Sequence, residues 1–135
     1  GAPAGASGML ISESEVGAIV RGVGAAHGRR IKRRNVSVER VHELGGSASR
    51  HAFVVRAPAR RSSPGDVVAF GVLDVREDGA WGLWIGGPRD QRARVVFAAM
   101  CGGGWKPGAY HDSGKIAARG GRDSRSGADA RLAAA

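Results

Sequence analysis

Ser12-Glu-Ser-Glu-Val-Gly-Ala-Ile-Val-Arg-Gly-Val-Gly-Ala-Ala-His27 is the stretch on which the fold turns. Ser12 and Glu15 stand in the S-x-x-E relation of a capping box, and Val16, Ile19, Val20 and Val23 follow at i, i+3, i+4 and i+7. That spacing predicts a helix from about Glu13 to His27 with one apolar stripe, stopped by Gly28. Gly17, Gly22 and Gly24 each weaken it by roughly 1 kcal/mol relative to Ala, so packing has to hold it in place.

Immediately after it, Arg29, Arg30, Lys32, Arg33 and Arg34 put five cations into six residues. Unpaired charges of this kind cost several kcal/mol each to bury, so the block faces water or an anionic partner. It is the best functional lead in the sequence.

Downstream the periodicity changes to that of strands. Asn35 to Leu44 and His51 to Ala57 read as a hairpin around Gly45–Arg50. Pairing Leu44 with His51 would put Val36, Val38 and Leu44 on one face with Phe53 and Val55, and Glu39 opposite Arg56. Pro58 to Asp66 is a polar loop carrying Arg60 and Arg61. Val67 to Val75 is an almost continuous apolar run, as expected of a central strand covered on both faces. After the turn Glu77-Asp78-Gly79, Trp81, Leu83 and Ile85 alternate to one side of a further strand and Trp84 to the other. Arg89 to Met100 combines helical spacing at Ala93, Val96, Phe97 and Met100 with the strand-like run Arg94-Val95-Val96-Phe97, and both readings stay open.

These elements predict an α+β fold, an N-terminal helix packed on a four- or five-stranded antiparallel sheet with an irregular basic C-terminal tail. Residues 1–10 read as a flexible leader, 11–105 as a single α+β domain and 106–135 as a flexible basic tail. The order of elements is similar to that of cystatin-like and other cone-shaped α+β domains. The likeness is topological, and no residue motif carries an activity across.

The chain has 135 residues, enough to bury a core without staples, and its lone Cys101 excludes an internal disulfide and leaves the compartment undetermined. No apolar run approaches a membrane span and no signal pattern opens the chain, so it reads as soluble, with localisation otherwise unknown. Its net charge of +9 favours polyanionic partners.

Several chemical motifs can be argued down. Gly22-x-Gly24-x-x-x-Gly28 lies inside the amphipathic segment instead of at a strand-to-helix turn. Ala109 to Ile116 has the spacing of a phosphate-binding loop, but Ala109 replaces its first glycine and Ile116 its metal-binding hydroxyl. Cys101 with His111, oriented by Asp112 and served by backbone donors at Gly102–Gly104, would make a thiol-dependent enzyme, yet lies in a segment without a visible cleft. His42 and His51 would approach across the hairpin, but the histidines lack metal spacing, and no metal or cofactor is expected. Glu39 with Glu43 and Asp74 with Asp78 read as outer-face or turn carboxylates.

The leading expectation is a non-enzymatic binding module that engages RNA or DNA with low sequence specificity. Arg29, Arg30, Lys32, Arg33 and Arg34, with Arg60 and Arg61, would contact phosphates, and Trp84, Trp105 and Tyr110 would stack on bases. The alternative is a protein-interaction or small-ligand-binding module with no nucleic-acid role, for which a deep apolar pocket against the helix would speak.

Overall fold

The computed structural model describes residues 11–102 and 110–116. Helix α1 spans Glu13–Ala26, and both arms of the capping box form: Ser12 N–H donates to Glu15 Oε1 (2.7 Å) and Glu15 N–H to Ser12 Oγ (3.1 Å). Gly28 follows at φ +75°, a left-handed conformation that lets the chain reverse without a Cβ penalty. The reversal lays residues 29–35 back along α1, ending in a single 3-10 turn at Arg33–Asn35.

That return strap explains two of the costly glycines. A Cβ at Gly24 would lie 2.8 Å from Ile31 Cδ1, and one at Gly17 would lie 2.8 Å from Arg33 Cγ. The helix gives up propensity at these positions and gains close contact with the strap. Arg33 also donates to Ser14 Oγ (2.7 Å), and Glu13 Oε2 accepts from the Val38 N–H (2.8 Å), fixing the strap's far end.

Five antiparallel strands follow in sheet order β1-β2-β3-β4-β5: β1 Val36–Leu44, β2 Ala48–Arg56, β3 Val67–Arg76, β4 Ala80–Gly86 and β5 Asp112–Lys115. Helix α2, Gln91–Cys101, packs on the face away from α1, so the ambiguous segment is helical. Asp90 caps it by accepting from the Ala93 N–H (3.1 Å), and Ala93 and Met100 are the buried members of the predicted stripe.

The α1 stripe is buried throughout: Val16, Ile19, Val20 and Val23 pack with Phe53, Val55, Leu73 and Leu83. Removing side chains of this size from water contributes about 1.5–3 kcal/mol each. β3 is central and buried from Ala69 to Val75, as its apolar run requires.

Two expectations are corrected. The hairpin is tighter than expected: Leu44 pairs with Ala48, and His51 pairs with Val41. Val36 and Val38 do meet Val55 and Phe53, but a bulge between Val38 and Arg40 inverts the alternation. Leu44 therefore shares a face with Arg40 and His42 instead of Val38, and Glu39 does not pair with Arg56. The second correction concerns residues 112–115, placed by sequence in the tail. They form the edge strand β5, with Asp112 opposite Leu83 and Lys115 opposite Ala80.

Candidate functional site

Antiparallel order brings the start of β1, the end of β2, the start of β3, the end of β4 and the start of β5 to one end of the sheet. The strap 29–35, the loop 57–66 and the loop 87–90 therefore run across that end. They carry Arg29, Arg30, Lys32, Arg33, Arg34, Arg60, Arg61 and Arg89, all exposed, and the first turns of α2 add exposed Arg92 and Arg94. The carboxylates at the same end are Glu13 and Glu15 in the first turn of α1, Asp66, Asp90, engaged as the α2 cap, and the buried Asp112, paired with His27. The opposite end holds the turns 45–47 and 77–79, where Glu43, Glu77 and Asp78 outnumber Arg76 and Lys115.

No described carboxylate forms an ion pair with the cations of the strap or with Arg60, Arg61 or Arg89. The ion pairs among the described residues are His27–Asp112, Arg50–Asp74 and Arg76–Asp78. Among the described residues Arg33 is the strap cation with a side-chain hydrogen bond, to Ser14, and it keeps its exposure. Arg61 sits at φ +48°, in the left-handed region, within a tight turn closed by reciprocal Arg60–Ser63 backbone bonds.

The aromatic residues fall elsewhere. Trp84 is half-buried on the α2 side, stacked near His111 (5.6 Å between ring centroids) and Phe70 (6.4 Å). Tyr110 donates from its hydroxyl to Asp74 Oδ2 (2.6 Å). Trp84 is thus stacked within the fold, and the Tyr110 hydroxyl is engaged while its ring stays exposed. Trp105, Lys106 and the cations from Arg119 to Arg131 lie outside the described residues.

The thiol arrangement does not assemble. His111 Nδ1 accepts from the Ile85 N–H (3.0 Å), and Asp112 pairs with His27 (2.8 Å) instead of orienting His111. Burial pushes the Cys101 thiol up, against nucleophile formation at neutral pH. His42 hydrogen-bonds the Cys101 carbonyl, and His42 and His51 lie on opposite faces of the sheet. Among the described residues no group of three metal-ligating side chains exists. Gly22 and Gly24 are inside α1, and Asp112–Lys115 is a strand instead of a phosphate loop with a following helix.

Sequence reasoning missed a buried polar centre on the α2 side. Arg50, opposite Asp74 in the ladder, donates through Nε (2.8 Å) and Nη2 (2.9 Å) to both carboxylate oxygens and through Nη1 to the Met100 carbonyl (3.3 Å). Its signal was Asp74 itself, a lone carboxylate inside the most apolar strand, which demands a cation across the ladder. Also unforeseen in detail is a cleft of about 540 Å³ at the basic end, between the last turn of α1 and the start of β5. Val20, Val23, Ile31 and Ile85 form its apolar walls; His27, Arg29 and Asp112 form its polar side.

No helix among the described residues is long and apolar enough to cross a membrane. No protein-family model, curated protein or solved structure matches the chain.

Proposed function

We propose that this chain is a non-enzymatic module that engages a polyanion, RNA or DNA, through the basic end of its sheet. One observation carries the reading: three connections distant in sequence bring Arg29, Arg30, Lys32, Arg34, Arg60, Arg61 and Arg89 to one end, exposed and outside every ion pair among the described residues. Guanidinium and ammonium groups arranged in this way contact phosphate oxygens by charge-assisted hydrogen bonds, and such contacts position a backbone without reading its sequence. Low specificity follows, since contacts of this kind carry no sequence information and Trp84 is stacked within the fold.

The test is an electrophoretic binding assay with a mixed-sequence RNA oligomer, the matching DNA duplex and heparin. Arg29, Arg30, Lys32 and Arg34 are changed together to Gln, leaving Arg33 to hold Ser14. All three ligands should weaken by a similar factor, roughly ten-fold or more at low salt. Binding that survives the quadruple substitution unchanged removes the proposal.

A further inference from the structure

We infer that the cleft between α1 and β5 is a binding site for a small, largely apolar molecule that carries one hydrogen-bond donor, a hydroxyl or an amine. The cleft's volume of about 540 Å³ lies inside the range of small-molecule sites, roughly 300–1,000 Å³, and its walls are the aliphatic side chains Val20, Val23, Ile31 and Ile85. Such walls select an apolar body. Arg29 borders the same space but is exposed and keeps its charge in water.

The donor requirement comes from Asp112. This carboxylate lines the cleft, is only 3% exposed, and uses Oδ2 for His27 Nε2 (2.8 Å). Among the described residues nothing hydrogen-bonds its buried Oδ1. Native interiors rarely leave a carboxylate oxygen in this state, because its desolvation goes uncompensated. A ligand donor entering from the cleft supplies the missing bond. The side chain of His27 is 57% exposed at the end of α1, so its ring can swing aside and open the carboxylate while the β4 ladder retains β5. The site shares Arg29 with the proposed polyanion surface but takes a different class of ligand, and its test does not depend on that proposal.

The experiment compares 2-naphthol, 2-naphthylmethylamine and 2-methoxynaphthalene, which share a ring system and differ in the donor, by chemical-shift titration of the backbone amides. At least one donor ligand should bind with a dissociation constant of about 1 mM or tighter and move the Val23, Gly24, Ile85 and Gly86 signals. The methyl ether should bind about ten-fold more weakly, the loss expected for a hydrogen bond to a charged acceptor. Preference for the alcohol or for the amine then identifies a neutral or a cationic donor. Asp112→Ala should erase the difference between donor and ether. In case that variant fails to fold, Asp112→Asn provides a second route: it keeps the shape of the side chain and removes its charge, and should cut the donor preference to a few-fold or less. Equal affinity for ether and donor ligands, shifts confined to other residues, or an undiminished donor preference in both Asp112 variants would each overturn the inference.

Discussion

The two faces of the sheet are held by different physics. Under α1, Val16, Ile19, Val20 and Val23 meet Phe53, Val55, Leu73 and Leu83, in a large core built from aliphatic area. Under α2 the apolar cluster is small, Ala52, Val72 and Met100 with Trp84, Val96 and Phe97 around it, and beside it Arg50 and Asp74 are buried as an ion pair closed by Tyr110. Apolar burial is additive and tolerant of imprecise shape. A buried pair holds only while every partner is present, since taking either ion out of water is expensive. The α1 face therefore supplies most of the stability, while the α2 face makes the position of α2 and of residue 110 specific.

The sharpest way to separate the two faces is Arg50→Met, which strands Asp74 and should cost about 3–5 kcal/mol in urea unfolding. Adding Asp74→Leu should recover most of that loss. A double variant no more stable than the single one would mean the polar centre is not acting as a pair.

On the other face, Leu83→Ala should cost about 3 kcal/mol from lost transfer energy and a partly collapsed cavity. No second substitution restores it by charge removal, which separates the two mechanisms.

Besides Asp112, the α1 face buries a histidine. His51 is fully buried, and burial depresses its pKa from 6.5 against a weaker opposing bond to the Leu73 carbonyl. Above pH 6.5 both states are neutral there; as pH falls below it, the unfolded chain takes up the proton first and stability drops. The slope from this group is at most about 1.4 kcal/mol per pH unit, and His51→Gln should flatten it in stability curves measured between neutral and mildly acidic pH. A steeper loss in the variant would contradict the assignment.

Tyr110→Phe removes one donor from Asp74 but leaves Arg50 in place, so a loss of about 1 kcal/mol is expected by thermal unfolding. The smallest effect on stability belongs to the basic end. Arg30, Lys32 and Arg34 changed to Gln should lower unfolding stability by no more than about 0.5 kcal/mol, because these side chains hold nothing in the fold.

The helix and its stripe were legible because capping and period are local properties of Ser12–Val23. The central strand was legible from Val67–Val75 for the same reason. What escaped depends on partners far away in sequence. The bulge after Val38 changes the face of Leu44 through pairing with β2, and nothing in Glu39 or Arg40 announces it. β5, Asp-Ser-Gly-Lys, lacks strand composition; it is held by the β4 ladder and by the bond of Asp112 to His27. Arg50 reads as turn material until Asp74 is seen opposite. Of the proposed interface, the strap cations and Arg60, Arg61 and Arg89 are all visible in sequence, the topology gathers them at one end, and Trp84 is stacked within the fold.

If the cations gathered at one end of the sheet bind a nucleic-acid backbone, each phosphate they neutralise releases counterions, and affinity must fall with salt. The decisive quantity is the slope of log K against log salt on duplex DNA, for the natural chain and for the Arg29, Arg30, Lys32 and Arg34 to Gln variant. The natural chain should give a steep negative slope that becomes shallower by about 2–4 units in the variant, close to 0.9 for each phosphate no longer neutralised. A natural chain whose affinity is insensitive to salt, or two proteins with the same slope, would contradict a phosphate-binding role for this end of the sheet.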